Sequence, residues 1–107
     1  KHESASYIDA HYAEASLSRS LAQRFSIGHG YFLIKFKKVF GENFARYHNR
    51  IRIQRSLFYL ADLAIPIIDI AFTVGYHSYQ NFTLAFRRTM HCSPSAYRVR
   101  QSRRRTR

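Results

Sequence analysis

Apolar residues recur along this 107-residue chain at intervals of three and four, the period of a helix face. Nowhere is there sustained apolar–polar alternation with turn pairs, the mark of strands. The period predicts a first helix over residues 4–14, on which Tyr7, Ile8, His11, Tyr12 and Ala15 follow helical spacing. Ser16 and Ser18 then offer N-cap oxygens for a short helix at 19–25, with Leu21, Ala22 and Phe25 inward. Gly28 and Gly30 mark a turn, and residues 29–40 form a helix with Phe32, Phe36, Val39 and Phe40 on one face. Gly41 sits just past its end, where a left-handed residue is wanted. Asn43 is placed to cap a long helix at 44–60. Its apolar contacts fall to Phe44, Tyr47, Ile51, Leu57, Phe58 and Leu60, while Arg46, Arg50, Arg52 and Arg55 line other sides. Asp62 to Pro66 connect to a short buried helix of Ile67, Ile68, Ile70, Ala71 and Val74, stopped by Gly75. Ser78 caps the next helix, whose Phe82, Phe86 and Met90 share a face. Ser93-Pro94, an N-cap followed by proline at the first helical position, starts a last helix at 95–101. The expected fold is all-α, with about seven helices.

The pattern also repeats itself. A shift of fifty residues brings Phe32 onto Phe82, Phe36 onto Phe86, Lys37-Lys38 onto Arg87-Arg88, Asn43 onto Ser93 and Tyr47 onto Tyr97. Leu21-Ala22 meets Ile70-Ala71 with a one-residue slip. Each copy reads as short helix, tight turn, amphipathic helix, the layout of a helix-turn-helix. The expected organisation is a first helix-turn-helix subdomain at 1–42, a linker helix at 43–61, a second subdomain at 62–101 and a disordered basic tail at 102–107. A linker of roughly 17 residues makes a rod of about 25 Å. With the widths of the two units added, the reading helices would lie near one DNA turn apart, about 34 Å.

Charge narrows the partner. Eighteen Lys and Arg face six acids, a net charge of +12 that repels itself unless an anionic partner neutralises it. Nucleic acid is the commonest such partner and acidic membrane the second. A membrane span is excluded, because the longest apolar stretch, 60–76, is broken by Asp62, Pro66 and Asp69. The one cysteine, Cys92, excludes an internal disulfide and a Cys-based zinc cluster; it fits a reducing cytosol and a packing role. The histidines at 2, 11, 29, 48, 77 and 91 lack metal-ligand spacing, and the six acids are scattered without a nucleophile–base pair. No enzyme, metal or cofactor is expected. A start at Lys1 rather than Met suggests a segment of something longer.

The sides of the two repeated helices that face away from the Phe stripes differ in chemistry. Residues 78–91 present Gln80, Asn81, Leu84, Arg87 and Arg88, with Thr83 at the border. The amides of Gln80 and Asn81 can each pair with adenine N6/N7, and the guanidiniums can pair with phosphate. Residues 29–40 present Gly30, Tyr31, Ile34, Lys37 and Lys38, with Leu33 at the border.

Taken together, the chain resembles the DNA-binding domain of the AraC/XylS family of bacterial transcription regulators. In the first half the likeness rests on Leu21-Ala22, Phe36-Lys37-Lys38 and Gly41, and in the linker on Tyr47 and Arg52-Ile53. The more specific second half supplies Ile70-Ala71, Gly75-Tyr76, Phe82, Phe86-Arg87-Arg88, Ser93-Pro94 and Tyr97-Arg98. The likeness covers residues 5–100 and implies two helix-turn-helix subdomains joined by a helix. It also implies sequence-specific binding of double-stranded promoter DNA, usually as an activator that contacts RNA polymerase in the bacterial cytoplasm, at the nucleoid. Most members add an effector-binding or dimerisation domain, expected here in a part of the full-length chain beyond these residues.

On this likeness the base-reading positions of the first unit fall on Gly30, Leu33 and Ile34, whose side chains form no hydrogen bonds. The first unit is then expected to clamp phosphate through Lys35, Lys37 and Lys38. Base readout passes mostly to Gln80, Asn81, Thr83 and Leu84, with Arg87 and Arg88 on phosphate or partly structural. His91 stands where the repeat and the family have Gly. The rival expectation is a non-specific cationic binder of nucleic acid or a membrane surface. A third is a protein-docking module that uses Tyr31, Leu33 and Ile34.

Overall fold

The computed structural model describes the backbone of residues 2–105 and the side chains of residues 6–104. Among these the protein is all-helical: α1 (His2–His11), α2 (Leu17–Arg24), α3 (His29–Phe40), α4 (Phe44–Leu60), α5 (Ile67–Thr73), α6 (Tyr79–Met90) and α7 (Pro94–Arg105). The chain forms two compact units, Lys1–Asn49 and Arg50–Arg107, and the division falls inside α4.

In the first unit, Leu17, Leu21 and Ala22 of α2 bury against Phe32 and Phe36 of α3 and Phe44 of α4, with Tyr7, Ile8, Ile27 and Tyr47 packed around them. The aromatic rings carry much of that packing. Phe44 meets Phe32 and Phe36 edge-on at 5.5 and 5.1 Å between centroids, and Phe36 lies 5.1 Å from Tyr47. In the second unit the core is Ile53 and Leu60 of α4, Ile70 and Ala71 of α5, Val74 and Tyr76 of the turn, and Phe82 and Phe86 of α6. Phe86 meets Tyr97 of α7 edge-on at 5.8 Å, the counterpart of the Phe36–Tyr47 contact. Ser56 is also fully buried, and its hydroxyl donates to the Ile53 carbonyl (2.6 Å), so no polar atom is stranded there.

The repeat extends to the backbone. In the first unit the α2–α3 turn is closed by N–H bonds from Phe25 to Leu21, Ser26 to Gln23 and Ile27 to Ala22. In the second, Val74 to Ile70, Gly75 to Phe72 and Tyr76 to Ala71 reproduce them forty-nine residues later. From the following N-cap onward the shift is fifty: Phe32 to Gly28 matches Phe82 to Ser78, Gly41 to Lys37 matches His91 to Arg87, and Tyr47 to Asn43 matches Tyr97 to Ser93. The slip is therefore one extra residue, His77, in the second turn.

Several helix ends differ from the sequence expectation. α1 ends at His11, where a turn follows in which the Glu14 N–H bonds the His11 carbonyl (3.0 Å) and the two side chains pair. Ser16 is the N-cap residue of α2, but its backbone is not extended and its side chain makes no cap bond; the Ser18 hydroxyl instead pairs with the His29 ring at 2.8 Å. Gly30 belongs to the first turn of α3, and the left-handed residue of the α2–α3 turn is Ser26 (φ 57°). Residues 102–105, expected as disordered tail, continue α7. Arg is a good helix former and no breaker follows Pro94, so the helix has no local reason to stop at 101. Residues 106 and 107 lie outside the described residues.

Burial differs too. Phe25, Val39, Phe40, Phe58 and Ile68, expected inward, are exposed; Phe58 is 76% exposed. Val39 and Phe40 lie on the last turn of α3, where the Phe40 ring packs on Phe36 at 4.5 Å between centroids while the rest of it stays open. Phe25 lies past the end of α2, at its C-cap.

Candidate nucleic-acid interface

The outward face of α6 depends on how the helix is started and anchored. Ser78 holds an extended backbone (φ −149°, ψ 152°), and its hydroxyl accepts the Asn81 N–H at 3.0 Å. Phe82 and Phe86, both 0% exposed, fix the rotation of the helix about its axis. Gln80, Asn81, Leu84, Arg87 and Arg88 follow at helical spacing on the other side, and all are exposed. Two amides therefore stand on the first turn and two guanidiniums on the last, with Leu84 between them. Thr83 is half-buried, and its hydroxyl lies 2.8 Å from the Tyr79 carbonyl and 3.0 Å from that of Gln80. Its hydrogen is used within the helix, so toward any outside partner the hydroxyl can only accept. The helix ends at His91, which adopts the left-handed conformation (φ 63°) that Gly41 adopts at the end of α3 (φ 76°).

The face of α3 at the same positions has another composition. Gly30 stands for Gln80, Tyr31 for Asn81, Leu33 for Thr83, Ile34 for Leu84, and Lys37-Lys38 for Arg87-Arg88. Ile34 is 71% exposed and Leu33 37%, and Lys35, Lys37 and Lys38 are exposed around them. Gly28 is the N-cap, extended but with no side-chain oxygen to cap the helix. The sequence-predicted site residues thus gather into two exposed helix faces, one in each unit.

Residues 21–100 match a family model described as a helix-turn-helix domain. The chain belongs to the AraC-type helix-turn-helix family. It is similar to the uncharacterized HTH-type transcriptional regulator YijO of Escherichia coli, 32% identical over 92 residues, which are 86% of this chain and 32% of that protein. It is also similar to the HTH-type transcriptional regulator MtrA of Neisseria gonorrhoeae, 31% identical over 91 residues, covering 85% of this chain and 27% of that one. The chain spans about a third of the length of these curated relatives. Among solved structures, the DNA-binding domain of the global transcriptional factor AdpA, in complex with a target DNA, superposes with a TM-score of 0.85. At 23% identity, over 98% of this chain and 95% of that one, this likeness shows the fold.

Within the AraC-type domain, the contacts of three supporting residues escape a reading of the sequence alone. Arg98 of α7 donates from Nε to the Leu60 carbonyl (3.0 Å) and from Nη2 to the carbonyls of Asp62 (3.0 Å) and Tyr59 (3.5 Å). A positive fork is thereby placed on the carbonyls at and just past the end of α4, two of which, those of Tyr59 and Asp62, also accept a backbone N–H. Fifty residues earlier, His48 does the same for the first unit, its Nε2 lying 2.6 Å from the Tyr12 carbonyl just past α1. A carbonyl only accepts, so Nε2 carries the hydrogen. The third is Arg52, whose guanidinium lies 5.4 Å over the Tyr76 ring. Burial pushes the Tyr76 hydroxyl up to about 12 against the opposing pull of Arg52. Burial likewise lowers the Arg52 pKa, which Tyr76 partly offsets. The fifty-residue repeat was the available signal for the first two, since His48 and Arg98 occupy the same place in it.

Among the described residues no group of three His, Cys, Asp or Glu is arranged to hold a metal ion, and no helix is long and apolar enough to cross a membrane. Cys92 is half-buried beside the end of α6.

Proposed function

We propose that this domain is the DNA-binding part of a bacterial transcription regulator, with α6 as its principal base-reading helix. The observation that carries the proposal is the outward face of α6, where exposed Gln80 and Asn81 share a helix with exposed Arg87 and Arg88, all held by Phe82 and Phe86. Amides at one end and guanidiniums at the other suit a helix whose first turn meets base edges while its last turn meets the phosphate chain. Thr83 and Leu84 add methyl contacts at the border of that face. α3 enters the neighbouring major-groove segment and holds mainly phosphate through Lys35, Lys37 and Lys38. Membership of the AraC-type family, the net charge of +12 and the fold shared with a domain that binds a target DNA support this reading.

The regulator acts as an activator that touches RNA polymerase, in the bacterial cytoplasm at the nucleoid. The remaining two thirds or so of a protein as long as its relatives provides the effector or dimerisation domain.

The test is a titration of a promoter-derived duplex library at several salt concentrations, with the native chain and with Gln80→Ala plus Asn81→Ala. The native chain is expected to select a subset of duplexes, with affinity falling steeply as salt rises. The double substitution is expected to cost about 1–3 kcal/mol of discrimination for each lost amide pairing. Equal affinity for every duplex, unchanged by the double substitution, would sink the proposal. Vesicles of anionic lipid, run in parallel, are expected to bind more weakly than the selected duplex; tighter vesicle binding would favour a membrane-surface role.

A further inference from the structure

The outer face of α3 is built to a plan of its own. Its central residue, Ile34, is 71% exposed, and Leu33 beside it is 37% exposed. Nothing lies within 4 Å of where a Cβ on Gly30 would be, so the first turn of the helix is bare and lets a partner approach the backbone. Exposed Lys35, Lys37 and Lys38 stand around this apolar strip, and α3 has no acidic residue. An apolar strip inside a cationic frame suits a surface that is itself apolar in places and anionic at its edges. The floor of a thymine-rich major groove is such a surface, with C5-methyl groups projecting into the groove between two phosphate chains.

We infer that α3 selects its DNA segment by thymine methyl groups, with Ile34 as the specificity-determining residue and Leu33 beside it. This rests on the DNA-binding reading above and adds the base chemistry that the first unit selects. Gly30 lets the helix sit close enough for a branched side chain to reach the methyl. A buried methyl contact changes binding about four-fold, less than a bidentate amide pairing. The first unit therefore adds a modest preference for thymine to the stronger readout by α6. Because 5-methylcytosine carries its methyl at the same place in the groove, it satisfies the same contact.

The experiment uses the duplex preferred by the native chain. Each thymine is replaced singly by deoxyuridine, which removes only the methyl and keeps the hydrogen-bonding edge. Each substitution is measured with the native chain and with Ile34→Ala, a change on an exposed face that leaves the core intact. The expected result is a set of adjacent positions where loss of the methyl weakens native binding about four-fold and leaves Ile34→Ala binding unchanged. Replacing cytosine by 5-methylcytosine at positions next to that set strengthens native binding only. If no deoxyuridine position weakens the native chain, or if the weakening persists in Ile34→Ala, methyl reading by Ile34 is wrong while DNA binding stands. If no preferred duplex emerges at all, the sequence-specific reading fails and this inference fails with it.

Discussion

The turn between α2 and α3 and the turn between α5 and α6 are closed by matching backbone hydrogen bonds, yet the helices that leave them present opposite chemistry. α6 shows amides and guanidiniums, whereas α3 shows an isoleucine, a leucine, a tyrosine and a bare glycine among lysines. Their undersides are nearly the same, a pair of phenylalanines against a short helix and a tyrosine from the helix that follows. Support and readout are thus separable in this architecture. The outward residues differ between the two helices while the buried phenylalanines that hold them in place are the same. A comparison of the units therefore divides residues into those that should affect both units alike and those that should affect one.

The largest contrast should come from the phenylalanine pairs. Phe86 is 0% exposed and Phe36 9%. Phe86→Ala should cost about 3–5 kcal/mol in urea unfolding and Phe36→Ala the lower part of that range, while exposed Phe40→Ala loses only its ring contact with Phe36 and should cost about 0.5–1.5 kcal/mol. A greater loss from Phe36 than from Phe86 would mean that the first unit has the tighter core.

The helix-end clamps come next. Arg98→Ala removes a charged fork from three carbonyls and should cost about 2–3 kcal/mol. His48→Ala removes a single donor from one carbonyl and should cost about 1–2 kcal/mol. Arg98→Lys should recover less than half of the arginine effect, because an ammonium cannot span the Leu60 and Asp62 carbonyls as a planar fork does. Full rescue by lysine would reduce the clamp to simple charge.

Smallest are the helix caps. Ser78→Ala should destabilise by about 1 kcal/mol, and Gly28→Ser should stabilise by a few tenths. His91→Gly should gain about 0.5–1 kcal/mol by relieving a left-handed β-carbon, while Gly41→Ala should lose about 1 kcal/mol. If His91→Gly destabilises instead, the imidazole has a role at that end that the repeat does not explain.

The features legible in the sequence were those encoded locally. Asn43, Ser78 and Ser93 each cap the N–H three residues ahead, a relation visible in a short window. The Phe32–Phe36 and Phe82–Phe86 stripes needed only the helical period. Arg98 was hidden because its partners lie 36 to 39 residues away. Ser26 was hidden because serine gives no sign of a left-handed backbone; only alignment with Gly75 across the slip would have exposed it. Burial at Phe25, Val39 and Phe58 was misjudged because it depends on what lies opposite, and spacing along one helix says nothing about that. At the candidate site, the outward residues of α6 could be read from the period, but the use of the Thr83 hydroxyl inside its own helix could not.

The missing oxygen at the start of α3 has a consequence for amide exchange. With glycine at the N-cap, the His29, Gly30 and Tyr31 amides precede the first intrahelical bond, from Phe32 to Gly28, and no side chain caps them. In α6 the equivalent third amide, that of Asn81, is held by Ser78. Deuterium should therefore enter the first turn of α3 faster than the first turn of α6. Equal exchange in the two first turns would mean that the Ser78 hydroxyl adds no protection to the Asn81 amide.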